Sequence, residues 1–267
     1  MTMGRTALNG NGSPAPRGME EKQKVKGLSS NALKVIACIS MIIDHVTYCF
    51  VTTPPAEKVI LDTEDIIWYI GRGLGRSAFI IFAFLLVEGF FYTINLKKYV
   101  IRLLICAVVS EACFDFMCDK LKKESFMDKQ NVLFLFVLGL LMLYVLEFVR
   151  KTYYEVSQTK FYLFSGLICS FGFTAAYFTR VDYGIVGMAL IFVFYYFRNG
   201  GRKLVAAVAI WSVACIFLNH QLEWAGLIAL IPIVKYYNRT RGNGPKGFFY
   251  VFYPLHMLLL GVLNALL

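Results

Sequence analysis

The sequence predicts an all-α, polytopic integral membrane bundle of about nine spans, with its N-terminus in the cytoplasm. Three observations predict it. Of the 267 residues, 58% are hydrophobic and 16% charged, with a mean hydropathy of +0.61. That leaves too little polar surface for a soluble domain of this length. The charges sit in short clusters between long apolar runs, the pattern of lipid-facing helices joined by wetted loops. Finally, the basic residues divide unequally between alternate loops.

Residues 1–27 are polar, rich in Gly and Pro, and carry Arg5, Arg17, Lys22, Lys24 and Lys26. They read as a disordered basic cytoplasmic tail, with no secretory signal before the first span. The stretch before Met19 is so unlike the rest that Met19 is an alternative start. Residues 28–267 read as a single transmembrane domain, since no second globular block interrupts the apolar runs.

Spans are expected near 28–50, 77–95, 99–117, 131–149, 161–178, 183–197, 204–219, 222–234 and 248–267. The eighth is short and is expected to end at Pro232, which lacks the N–H a helix needs. With these spans, 18 of the 27 Lys and Arg residues fall in the tail and the loops around 97–102, 150–160, 198–203 and 235–246. Eight fall on the other side, in loops 51–76, 118–130 and 179–182. The excess marks the cytoplasmic face and puts the C-terminus outside, as for a multi-pass protein of the inner or plasma membrane. Loop 51–76, with Thr53-Pro54-Pro55 and the acidic run Asp62 to Asp65, reads as an outer connector or a cover over an entrance.

The net charge of +10 does not point to nucleic acid, because the basic residues cluster at span ends rather than on one face. Seven cysteines show no metal-binding spacing and read as small buried hydrophobes, the alternative being a disulfide among Cys49, Cys113 and Cys118. There is no GxSxG, no HExxH and no metal site. The glycines of Gly71-Arg72-Gly73-Leu74-Gly75-Arg76 imitate a nucleotide loop only superficially, since no strand precedes them. No internal repeat of the kind transporters show is visible.

The informative residues are the ionisable ones at membrane depth, each costly unless paired or wetted. Lys34 and His45 are eleven residues apart in the first span. That places them about 20° apart around the helix and about 16 Å apart along it. A cation at the cytoplasmic mouth and an imidazole deeper on the same stripe fit a long ligand with an anionic head and a reactive tail. A snorkelling lysine and a hydrogen-bonded core histidine fit equally well. Asp44, about 100° round from His45, is expected to pair across to Arg72 or Arg76. A carboxylate to orient His45 is then expected from Glu111 or Asp115, one turn apart on the third span. Those two are alternatively a structural ion-pair network. Glu88, next to Gly89, binds a donor amide or seals a helix contact. His256 follows Tyr253-Pro254-Leu255, where Pro254 frees a carbonyl and a kink is expected. Asp182 reads as the N-cap of the sixth span.

Several segments together resemble the TraX family. They are Leu33-Lys34 with Asp44-His45, the block from Gly75-Arg76 to Glu88-Gly89-Phe90, Phe114-Asp115, Asn131 to Phe134, Asp182-Tyr183-Gly184, and Phe252-Tyr253-Pro254-Leu255-His256. A more distant similarity is to the acyltransferase-three and heparan-α-glucosaminide N-acetyltransferase families. In the former, a basic residue, ten residues and then a histidine mark the first span. Glu88 stands where that family's phrase has serine. The resemblance implies transfer of an acetyl group from cytoplasmic acetyl-CoA, a co-substrate rather than a bound cofactor. The acceptor would be an amine or hydroxyl at the membrane or outer side: a pilin N-terminus, as for the TraX namesake, a glycan or a small compound. It further implies Lys34 on the donor phosphates, with Glu88 and His256 on the donor side. His45 would be the general base, with Asp44, Arg76, Glu111 and Asp115 in the catalytic set, and Asn131, Asp182 and Tyr183 would face the acceptor. An imidazole with an ordinary pKa of about 6.5 suits a base at neutral pH. A small-solute or proton-coupled transporter, a partner-binding scaffold and assembly as a homodimer remain open alternatives.

Overall fold

A computed structural model describes residues 26–51, 62–118, 129–217, 227–244 and 247–267. Among them the chain is all-helical: α1 Ser30–Phe50, α2 Thr63–Tyr92, α3 Leu96–Met117, α4 Val132–Tyr153, α5 Gln158–Phe178, α6 Gly184–Phe197, α7 Arg202–Phe217, a π-helical turn Ile231–Tyr236, and α8 Phe248–Leu266. α1, α2, α4, α5 and α8 are long and apolar enough to cross a membrane. The protein is therefore a helical membrane bundle. Most of the expected tail, the Thr53-Pro54-Pro55 turn and most of loop 118–130 lie outside the described residues.

Polar side chains start most of the helices, each accepting a backbone N–H that would otherwise lack a partner. Ser29, Asn95, Asn131 and Ser157 cap α1, α3, α4 and α5. Asp62 and Asp65 form a reciprocal capping box at the start of α2. That box corrects two expectations, since the acidic run placed in a loop up to residue 76 instead nucleates a helix beginning at Thr63. α2 has 30 residues, about 45 Å of helix, more than a hydrocarbon core needs. Asp182 is not the N-cap of α6 either. Tyr183 holds that position in the left-handed region, φ 62°, with no side-chain cap bond. Pro232 does not end the eighth segment but lies in the first turn of the π-helix, where its missing N–H costs little.

α1 packs chiefly on α2 and α3 on α8, while α4 lies against α3, α5 and α6. The α1–α2 contact is close because Gly71 faces Thr47 and Gly75 faces Asp44, where added side chains would overlap those residues. The glycines that imitate a nucleotide loop are thus a small-residue packing stripe between membrane helices.

Long-range contacts join segments that the charge count assigns to the same side. On the cytoplasmic side Leu28 bridges to Tyr237, and the Ser30 N–H donates to the Thr240 carbonyl at 2.8 Å. On the outer side Gln130 bridges to Val181, and the Asp182 N–H donates to the Gln130 carbonyl at 2.8 Å.

Candidate active site

A cavity of about 760 Å³ lies between the α1–α2 pair on one side and α3 and α8 on the other. Lys34, Cys38, Met41, Asp44 and His45 line it from α1, so the one-face reading of Lys34 and His45 holds in three dimensions. The end that the charge count assigns to the cytoplasm gathers Lys34, Arg102, Arg239 and Arg241 with the rings of Tyr92, Tyr99 and Phe249. Lys34 Nζ lies 5.1 Å from the centre of the Phe249 ring. The far end is formed by Asp44, His45, Gly75, Arg76, Asp182 and Tyr183.

The charges at that far end are partly matched. Asp44 pairs with Arg72 at 2.8 Å, the cross-helix partner expected for it. Its other oxygen lies 3.9 Å from His45 Nε2, so these neighbours approach more closely than a 100° offset implies. Asp182 pairs with Lys129 at 2.7 Å and accepts the Tyr183 N–H at 3.1 Å. Burial acts to raise the Asp182 carboxyl, but the Lys129 and Arg76 cations outweigh it and hold the group below its ordinary range. Arg76 donates to the Tyr183 hydroxyl at 2.7 Å and sits over that ring at 5.3 Å. Tyr183 in turn stacks on Phe79 at 3.8 Å. Arg76 makes no ion pair among the described residues, and its buried Nε has no hydrogen-bond partner. A guanidinium with unused donors beside an imidazole is equipped to bind a carbonyl oxygen or an anion.

His45 Nδ1 lies 2.8 Å from His256 Nε2, and the two rings are stacked within 5° of parallel. Neither Glu111 nor Asp115 is the hydrogen-bonding partner of His45. Glu111 Oε2 accepts the Asn131 backbone N–H at 3.0 Å and the Asn131 side-chain N–H. Asn131 Nδ2 also donates to the Ala107 carbonyl at 2.9 Å, while its Oδ1 caps α4 through the Leu133 N–H at 3.0 Å. Glu111 and Asn131 thus tie α3 to the start of α4. Asp115 is fully buried, and neither it, Glu111 nor Asn131 lines the cavity. Glu88 lines the opposite half, where it pairs with Arg198 and accepts from the Tyr237 hydroxyl at 3.2 Å. With both oxygens engaged, it links α2 to α6 and to the end of the π-helix.

α8 runs unbroken through Pro254. The Tyr250 carbonyl, which loses its helical donor there, is met by the Cys106 thiol at 3.4 Å. No disulfide joins cysteines among the described residues. No group of three or more His, Cys, Asp or Glu there is arranged to hold a metal ion.

Sequence reasoning missed the second histidine as the partner of the first, because residues 45 and 256 are joined only by the packing of α8 against α1. It also missed Arg198 and Tyr237 on Glu88, and Arg102, Arg239 and Arg241 at the mouth. The only sequence signal for the four arginines was the excess of basic residues in the loops that the charge count assigns to the cytoplasm.

A family model described as TraX protein matches residues 29–264. The chain is also 29% identical over 241 residues to a probable fimbrial assembly protein FimC, serogroup H1, from Dichelobacter nodosus, covering 87% of this chain and 94% of that one. No solved structure matches.

Proposed function

The chain belongs to the TraX family, and from that premise we propose that it is a membrane acyltransferase. It would carry an acetyl group from cytoplasmic acetyl-CoA to an amine or hydroxyl acceptor at the outer part of the inner membrane. The observation that carries this reading is one continuous cavity, cationic at its cytoplasmic end and ending on His45 and Arg76. Lys34, Arg102, Arg239 and Arg241 suit the donor's phosphates as charge-assisted hydrogen-bond donors. The apolar middle, with Met41, Leu86 and Phe82, suits an uncharged pantetheine arm.

At the far end His45 accepts the proton of the acceptor as its nitrogen or oxygen attacks the thioester carbonyl. Arg76 stabilises the oxyanion that forms on that carbonyl. Collapse of the tetrahedral intermediate breaks the carbon–sulfur bond, and the proton held on His45 leaves with the CoA thiolate. Direct attack requires both substrates to meet at one point, and His45 and Arg76 both line the far end of the cavity where they would do so. Membership of the TraX family and the similarity to a fimbrial assembly protein favour a pilin as acceptor, at its N-terminus, with a glycan or small compound as the other candidates.

The test is binding and turnover with purified protein. Wild type should bind CoA by calorimetry and hydrolyse acetyl-CoA slowly with water as acceptor. Lys34→Gln should weaken CoA binding by roughly 10- to 100-fold, the loss of one charge-assisted contact of about 1.5–3 kcal/mol. Absence of CoA binding in wild type, together with solute uptake driven by an ion gradient in liposomes, would replace this reading with a transporter.

A further inference from the structure

We propose that His256 is a positioning residue that holds His45 in its Nδ1–H tautomer, leaving the Nε2 lone pair as the base. The chemical meaning of this rests on the acyl-transfer reading, whereas the tautomer itself does not. The order of donors follows from one group that can only accept. His256 Nδ1 lies 2.9 Å from the Phe252 carbonyl oxygen, so that nitrogen carries a proton. A neutral imidazole has one N–H, which makes His256 Nε2 an acceptor. His45 Nδ1, 2.8 Å away, must then donate to it. The only ring nitrogen of His45 left without a proton is Nε2.

Packing fixes the ring that sets this order. The Phe252 ring stacks on His256 at 4.9 Å and 8°, and Tyr253 meets it edge-on at 5.7 Å. His256 is 6% exposed. The Phe252 carbonyl has a second lone pair for the imidazole N–H beyond the one used in its helix. Among the described residues, no carboxylate hydrogen-bonds either ring. A backbone carbonyl and a second imidazole thus do what a carboxylate does in the familiar hydrolase triad, which is to select the tautomer of the base.

The proton balance is simple. As the acceptor attacks, its proton moves to His45 Nε2, and His45 becomes an imidazolium. Its Nδ1–H bond to His256 becomes charge-assisted and stronger. When the carbon–sulfur bond breaks, the proton passes from Nε2 to the CoA thiolate, and both rings return to their starting state.

Nitrogen NMR of protein labelled with 15N-histidine tests this directly, because the chain has three histidines, His45, His220 and His256. Assignment uses the single His→Gln variants. In wild type, His45 and His256 should each show a protonated Nδ1 and a bare Nε2, the opposite of the form that free imidazole side chains favour. In His256→Leu, His45 should shift to mainly Nε2–H. In His256→Gln, whose side-chain carbonyl can accept the same bond, the Nδ1–H form should persist. In His256→Leu kcat should fall by roughly 10²-fold, within the range general-base catalysis supplies, with CoA affinity unchanged, and His256→Gln should recover part of it. An Nε2–H tautomer at His45 in wild type, or an unaltered His45 spectrum in His256→Leu, overturns the proposal. Should His256→Leu fail to fold, the wild-type and His256→Gln spectra decide. An Nδ1–H tautomer in a protein that transfers no acyl group upholds the assignment and removes only the acyl-transfer reading.

Discussion

Asp44 of α1 lies directly over Gly75 of α2, so closely that a Cβ at position 75 would overlap the aspartate side chain. One turn away Thr47 lies over Gly71 in the same manner. This seam sets the height of α1 against α2, and with it the pairing of Asp44 with Arg72 and the placing of His45 and Arg76 at the same end of the cavity. Gly75→Ala is expected to destabilise the protein by about 1–3 kcal/mol, the usual cost of overpacking a tight contact, and to reduce acyl transfer with it. Gly166→Ala is the control, since nothing lies within 4 Å of a side chain added there. Thermal melting in detergent measures both, and equal melting of the two variants would remove the seam from the explanation.

Glu88 is 3% exposed and holds Arg198 and Tyr237 together. Removing one member of a buried pair leaves an uncompensated charge, at a cost of roughly 3–5 kcal/mol. Glu88→Ala should therefore melt well below wild type, and so should Arg198→Ala. The double variant should be less damaged than the sum of the two, the signature of a direct pair in a double-mutant cycle. Additive losses would mean that each residue acts alone.

The orientation is open to a labelling test. In a background with the native cysteines replaced, Thr179→Cys should react with an impermeant thiol reagent in intact cells. Glu155→Cys should react only after permeabilisation. The reverse pattern would invert the topology and put the cationic mouth outside, beyond reach of cytoplasmic CoA.

The apolar spans were legible because they depend on long runs of neighbouring residues, while the expected orientation rests on where Lys and Arg cluster. The shared face of Lys34 and His45 was legible for the same reason, since it follows from helical periodicity alone. Asp44 with Arg72 followed from depth. The start of α2 was misjudged because the acidic run was read as loop polarity, when Asp62 and Asp65 are three apart and form a capping box. The orienter of His45 was sought among carboxylates one turn apart, Glu111 and Asp115. Nothing local reveals that Asn131 takes up the carboxylate of Glu111, or that α8 delivers His256 to the other side of the ring.

The measurement that bears most directly on the acyl-transfer reading is turnover by His45→Gln, set beside its stability and its affinity for CoA. Gln keeps the size and polarity of the side chain but offers no basic nitrogen. The variant is expected to melt and to bind CoA like wild type, while acetyl-CoA hydrolysis and transfer to an acceptor fall by roughly 10²- to 10⁴-fold. Undiminished turnover in His45→Gln would contradict the assignment of His45 as the base at the end of the cavity.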